Sequence, residues 1–426
     1  MNRRTFLSSS VKTGLAAGLL SSTLNAQSTD SKASPVILDP ELPPDLIGSR
    51  AIEGYFTQER MLQSLGVTEL LKPNDVQVVA YNFPSWHPSP FMENRFGKGW
   101  TEFDLLRNAR SLFPGHSMPH YPLWGYYDEA DPEWAAKEID LAADHGVDAW
   151  MIDWYWHSGT QFYQEQLEQG FLKAENRARL KFAVMWANHD WRNVYPARSP
   201  YEGAVLLPQI HTISDFADVA NYCAEHYFSQ PNYLEIAGAP VFAIFDAGKI
   251  IQELEVDGLK RGLAVMRERA QKLGFPKLHL QVCNGYDQYE GQLQDYGFDS
   301  ATQYGTFAWT YVKPSGTRLP YGVGAVEGIQ SWQEKRKNVK VPFFPCCSVG
   351  WDDSPRFNEY SSVAINRSPD QFERVVRAAR HTVASDSYTK HIYIAAWNEW
   401  TEDHVLLPDT YWGYSYLEAL RRAVKA

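Results

Sequence analysis

Eight short runs of apolar, β-branched and aromatic residues recur along the chain: Val76–Phe83, Asp148–Trp156, Lys181–Ala187, Pro240–Phe245, His279–Cys283, Ser300–Tyr304, Pro342–Val349 and His391–Ala396. They are nearly continuous rather than alternating, the pattern of strands buried on both faces. Segments with helical spacing separate them. The clearest is Ser368–Ser385, where Phe372, Val375, Val376, Ala379 and Val383 form one stripe. There Ser368 caps, Pro369 sits in the first turn and Gln371 completes a capping box. Another helix begins at Asp131-Pro132 and stops at Gly146. Gly258–Gly274 buries Leu259, Leu263 and Met266, and Ser415–Val424 supplies the last helix. Strands alternating with helices, without hairpin signals, predict an α/β chain folded as a (β/α)8 TIM barrel. A doubly wound open sheet is the competitor, and it loses because no glycine-rich phosphate loop follows the first strand of this chain. That strand opens instead into a long loop, Pro84–Asp131, dense in Trp, Tyr, His and Pro; loops of that length usually carry function.

The pattern of the first residues is different. Asn2-Arg3-Arg4-Thr5-Phe6-Leu7 precedes a modest apolar stretch, Thr13–Leu24, and together they resemble a twin-arginine export signal with cleavage after Ala26. The stretch is too short and too rich in Ser and Gly to span a membrane. The expected organisation is therefore a leader over residues 1–26, a tether and N-terminal extension over 27–75 with a helical patch at Gln58–Leu65, and one barrel domain over 76–426. The expected location is periplasmic or secreted.

Charge narrows the partners. The chain carries −11 formally, and losing Arg3, Arg4 and Lys12 with the leader takes it to −14. Such a surface disfavours nucleic acid and anionic membranes. Four cysteines, Cys223, Cys283, Cys346 and Cys347, have no metal-binding spacing, and buried free thiols are expected of them. Fifteen Trp, 24 Tyr and 21 Phe suit both carbohydrate handling and a large core.

In a barrel the carboxyl ends of the strands face one pocket, and candidate chemistry collects there. Strand one ends in Trp86-His87, strand two in Asp153-Trp154-Tyr155-Trp156-His157, and strand three in Trp186-Ala187-Asn188-His189-Asp190. Strand four ends in Asp246, strand six in Tyr304, strand seven in Trp351-Asp352-Asp353, and strand eight in Trp397-Asn398-Glu399-Trp400-Thr401-Glu402. Two carboxylates among indoles suit glycosidic bond cleavage, which needs proton transfer at one point and flat apolar faces to hold a pyranose. Plainer roles compete. His87 and His157 could bond loop backbone, Asp246 could cap the following helix, and one of Asp352 and Asp353 could serve a turn. About half of Trp154, Trp156, Trp186 and Trp351 should be packing at the barrel rim. His189, Asp190, His157 and Asp153 have metal-ligand chemistry but no tight motif, so no metal and no cofactor is expected. No Gly-x-Ser-x-Gly elbow occurs.

Several segments resemble the WbsX-type, glycoside hydrolase family 99-like proteins, a clan that includes endo-α-mannosidases. They are Gly97–Glu102, Leu112–His116 with Pro119-His120, Tyr126–Asp128 with Asp131-Pro132, and His145–Asp148 leading to Trp154–Trp156. Trp186–Asn188, Gly350–Arg356, Trp397–Glu402 and Gly413–Leu420 follow in order. The resemblance implies a (β/α)8 fold and a carbohydrate substrate, α-linked and manno-configured. It implies that Glu399 draws the proton from the sugar's own 2-hydroxyl, whose oxygen then attacks the anomeric carbon with net retention. Glu402 protonates the leaving oxygen and later activates water. Three departures surround that motif: His189 where relatives carry glutamate, Asp403-His404 where glycine is usual, and Leu407-Pro408 in place of Glu-Pro. Some members carry a glycosyltransferase label, and a non-catalytic glycan-binding barrel is a third reading. The assignment carries a geometric condition. In an extended strand Glu399 and Glu402 point to opposite faces, so the chain must turn near Glu399. Glu402 must also be kept protonated by burial or a neighbouring acid, for which Asp153 and Asp403 are candidates.

Overall fold

The computed structural model describes residues 75–193, 203–307, 317–388 and 390–425. The expected leader, cleavage site, tether and helical patch lie outside them. Eight parallel strands form the core: β1 (Gln77–Asn82), β2 (Ala149–His157), β3 (Lys181–Trp186), β4 (Ala239–Asp246), β5 (His279–Asn284), β6 (Ser300–Ala301), β7 (Cys346–Ser348) and β8 (His391–Ala395). Their order around the sheet is β6-β5-β4-β3-β2-β1-β8-β7. A parallel bridge, Ala301 to Phe343, joins the two outer strands and closes the barrel.

The expected strand at Ser300–Tyr304 is shortened to two residues because side chains replace its ladder. Thr302 Oγ1 donates to Phe344 O at 2.8 Å, Thr306 N to Ser348 Oγ at 2.8 Å, and Ser348 N to Thr306 Oγ1 at 2.7 Å. Local side-chain bonds of this kind compete with sheet pairing. The barrel interior is packed with polar-tipped rings: Tyr81 OH lies 3.1 Å from Cys283 Sγ across the barrel, and Tyr393 OH donates to Gln281 Oε1 at 2.7 Å. All four cysteines are free and buried.

Helices cover the outside. Ser368 caps Pro369–Thr382 by accepting from Gln371 N at 3.3 Å, but Gln371 does not return the bond, so only half of the expected capping box forms. The complete box is at Thr212 and Asp215. The helix expected from Gly258 begins at Ala247, where Asp246 accepts from Lys249 N at 3.0 Å and so acts as the cap. Glu255, at φ 59°, breaks it internally. The loop after β1 contains two short helices, Pro90–Phe96 and Phe103–Asn108. No helix among the described residues is long and apolar enough to cross a membrane.

Candidate active site

The chain makes its turn where the two acids require it. After β8, Asn398–Glu399 pairs antiparallel with His404–Val405, a 3-10 turn spans Trp400–Glu402, and Asp403 takes a left-handed φ of 56°. Both glutamates consequently reach one guanidinium. Arg356 Nη1 donates to Glu402 Oε1, and Nη2 lies 3.3 Å from Glu399 Oε2. A third carboxylate completes the centre: Glu102 Oε1 accepts from Arg356 Nη2 at 2.6 Å and from Nε at 2.9 Å. Glu102 is itself fixed by Thr401 Oγ1 at 2.6 Å and Ser85 Oγ at 3.0 Å. The four side chains are 4–15 % exposed.

Glu399 and Glu402 do not ionise freely here. Burial holds Glu399 well above the ordinary carboxylate range, and the neighbouring Glu402 charge adds to this against the pull of Arg356. Burial raises Glu402 as well, opposed by Arg356 and by the Tyr304 hydroxyl, 3.4 Å from Oε2. The closer guanidinium bond and the phenol support an ionised Glu402 better than an ionised Glu399. Asp153 is pushed up by burial and then by Glu402, but the acid whose charge raises Glu402 is Glu102, not the Asp153 expected from sequence. Asp403 is not that neighbour either: it turns away to Arg367 Nη2 at 2.6 Å.

Rings wall this centre. Phe83 lies beneath the Arg356 guanidinium at 5.7 Å and stacks towards Trp191 at 6.5 Å. Tyr155 meets the edges of Trp191 at 5.2 Å and His189 at 6.0 Å, and Phe245 bridges His189 to Tyr304. His404 packs on Tyr304 at 5.5 Å, with Trp351 one ring behind it at 5.1 Å. Burial lowers the imidazoles of His189 and His404, the latter to about 3; both are neutral. Of the residues singled out from sequence, Glu399, Glu402, Asp153, Tyr155, His189 and Tyr304 therefore converge, with Trp351 behind His404.

The others do not, and the pleat explains most of them. Successive residues of β2 point to opposite faces, so with Asp153 and Tyr155 inward, Trp154 and Trp156 point outward. Trp154 Nε1 donates to Tyr227 OH at 3.2 Å under the helix Ile213–Cys223. Trp186 packs on His211 and Phe216 and donates to Trp156 O at 3.0 Å. Trp397 packs on Trp150, and Trp86 is sealed against Phe103. Trp400 donates to Tyr127 OH at 2.9 Å. Each of these indoles is buried and braces the barrel.

The polar candidates are likewise engaged. Asn398 grips strand one, accepting from Phe83 N at 2.8 Å and donating to Phe83 O at 3.0 Å. Asn188 does the same for Asp246, at 2.8 and 2.9 Å. Asp352 bonds His116 Nε2 at 2.5 Å and Ser354 N at 2.9 Å, and Asp353 accepts from Ser362 N at 3.0 Å; both serve turns. Asp190 lies at the rim with Lys249 and Arg192, each at 3.1 Å. His120 packs on Tyr411 beside Arg367. His157 bonds Pro208 O. His87 is buried between Glu129 at 3.0 Å and Glu165 at 3.3 Å. Burial alone would lower its pKa, but the two carboxylate bonds win and raise it to about 9. Among the described residues no group of three or more His, Cys, Asp or Glu side chains is placed to hold a metal ion.

Arg356 and Glu102 were missed. Both stand inside segments that carry the family resemblance, and two buried acids require a cation; neither lies at a strand end, where position alone marks a residue as facing the pocket.

Comparison with known proteins agrees with this architecture. Residues 78–420 match the family described as Glycosyltransferase WbsX. Two proteins named uncharacterized protein WxcX, from two strains of Xanthomonas campestris pv. campestris, are each 25% identical over 356 residues, covering 82% of this chain and 49% of theirs. The chain thus spans about half the length of the curated relatives it matches. Among solved structures, the GH99 endo-alpha-mannosidase from Bacteroides thetaiotaomicron superposes with TM-score 0.51 at 15% identity, covering 83% of this chain and 97% of that one. A glycoside hydrolase-like protein gives 0.53 at 15%, with 84% and 96% covered. At that identity the likeness is one of fold.

Proposed function

The chain belongs to the WbsX glycosyltransferase family, and from that premise we propose that it is a retaining glycoside hydrolase acting on an α-linked, manno-configured poly- or oligosaccharide. The observation that carries the reading is the convergence of Glu399 and Glu402 on one guanidinium inside a ring-lined, buried centre. Glu399 takes the proton of the substrate 2-hydroxyl while that oxygen attacks the anomeric carbon. The bond to the leaving oxygen breaks as Glu402 delivers its proton there, leaving a 1,2-epoxide. Water then opens the epoxide at the anomeric carbon, giving a proton to Glu402, and the 2-oxygen recovers one from Glu399. Two inversions leave the configuration retained. Asp153, with a buried oxygen that has no hydrogen-bond partner among the described residues, faces the same space and is suited to a sugar hydroxyl.

The acid roles have a direct test. Glu402→Gln should cut turnover of a cleaved glycan by about 10²–10⁴-fold yet recover the bond-breaking step on a glycosyl fluoride, read as a burst of released fluoride, because that leaving group needs no proton while the water step still lacks its base. Glu399→Gln should fail on both. Recovery by Glu399→Gln and not by Glu402→Gln would reverse the assignment, a reversal that the better-supported ionised Glu402 of the free site makes worth measuring. NMR of the first-formed product tests retention.

The family's own description favours a second reading, glycosyl transfer. The export expected from Arg3-Arg4 bears on the choice, because nucleotide-sugar donors are cytosolic. Thermal stabilisation by a nucleotide sugar, with no new reducing ends from a glycan library, would select transfer.

A further inference from the structure

Eleven large apolar side chains are well exposed among the described residues, and six of them, Tyr121, Leu123, Trp124, Tyr126, Tyr411 and Tyr414, lie on two adjoining segments. One segment belongs to the long loop after β1 and the other follows β8, so both stand at the carboxyl face of the barrel, where the acids are. Backbone pairing locks them together: Leu123 N donates to Pro408 O at 2.8 Å and Thr410 N to Tyr121 O at 2.9 Å. The rings are also held in place. Trp124 Nε1 donates to Tyr414 OH at 2.9 Å, and its ring meets the edge of Trp134 at 5.7 Å. His120 stacks on one face of Tyr411 at 5.1 Å and 11°, while that residue stays 60 % exposed.

This composition points to a particular occupant. Five of the six are Tyr or Trp and one is Leu, so the face is made of polar-edged rings, where a permanent protein interface is more uniformly hydrophobic. Flat rings with polar edges match a pyranose, which offers C–H faces for stacking and hydroxyls for the phenols. Rings already braced lose little freedom on binding. A buried contact ties this surface to the candidate active site. Tyr127, next to Tyr126, accepts from Trp400, which lies between the two acids in the chain.

We propose that Trp124, Tyr411 and Tyr414 form a secondary binding platform for an uncharged glycan chain, holding sugar units of a polymer whose scissile bond lies in the cleft. This rests on the glycan-directed reading of the acid centre, and nothing in that reading requires it. A disaccharide fills the cleft alone; a polymer engages both.

Affinity electrophoresis of the full chain carrying Glu402→Gln, in native gels containing yeast α-mannan or dextran, tests it. Adding Trp124→Ala or Tyr411→Ala should weaken polymer binding about tenfold, equivalent to about 1.4 kcal/mol. Affinity for the matching disaccharide, measured by calorimetry, should stay within about twofold, since a contact outside its reach contributes nothing to it. Retardation equal to that of the Glu402→Gln parent overturns the platform, as does a parent that neither polymer retards. An equal loss for polymer and disaccharide also overturns it, by placing the effect in the cleft. A change in sedimentation with glycan affinity intact would overturn it in favour of self-association. Hydrolysis is judged separately, by the fluoride rescue, so either reading can fail without the other.

Discussion

Replacing Arg356 by Gln removes the guanidinium that Glu102, Glu399 and Glu402 share, and leaves three buried carboxylates in mutual repulsion. Breaking a buried ion pair from one side costs about 3–5 kcal/mol, and side chains only 4–15 % exposed give little screening to discount. At neutral pH the melting temperature should fall by on the order of 10 °C. The penalty should depend on pH in one direction. Arg356 lowers the pKa of both Glu399 and Glu402, so without it both rise further above their unfolded-state value. A carboxyl whose folded pKa is raised binds its proton more tightly in the folded state, and stability then falls as pH rises from the ordinary carboxylate range upward. The gap between wild type and Arg356→Gln should therefore be small near pH 5 and open towards pH 8. Urea denaturation followed by tryptophan fluorescence at pH 5, 6, 7 and 8 measures it. Arg356→Lys, which keeps the charge and loses the planar fork, should fall between the two. A gap that stays constant or narrows as pH rises would refute the three-carboxylate account. In turnover, the acid limb of the pH profile should move to higher pH in Arg356→Gln, because the proposed base, Glu399, has to ionise.

His87→Gln tests the second buried charge. With a folded pKa of about 9 against an ordinary value near 6.5, the imidazolium contributes fully below pH 6.5 and loses that contribution as pH rises through 9. The shift corresponds to about 3–4 kcal/mol, and about 2–3 kcal/mol is expected because burial also pushes Glu129 up. Denaturation midpoints of variant and wild type should differ most at pH 6 and converge above pH 9. Trp154→Ala separates a packing role from a binding one: it should cost about 3–5 kcal/mol of stability while calorimetric glycan affinity at 20 °C is unchanged. Lost affinity at unaltered stability would return Trp154 to the pocket.

The strands were legible because burial on both faces leaves unbroken apolar runs, and seven of the eight ladders need nothing more. The seam between β6 and β7 was not, since Thr302, Thr306 and Ser348 replace backbone pairing there. The helix from Ala247 was half visible: its apolar stripe is regular only beyond the break at Glu255. At the site, position at a strand end told which residues stand near the pocket, but not which face they take. Alternation along β2 already separated Asp153 and Tyr155 from Trp154 and Trp156, and applying it would have moved the outward indoles into the core. Arg356 and Glu102 depend on loops whose approach to β8 is a tertiary fact. They could be anticipated only by asking what balances two buried acids.

The grip of Asn398 on both backbone groups of Phe83 has a consequence for assembly. Glu102 is made early, Arg356 late and the glutamate pair last of all, and the pair is oriented only after the eighth strand has slotted between the first and the seventh. The four side chains of the acid centre come from three distant stretches of the chain, so that centre is a property of the closed barrel and of no local segment.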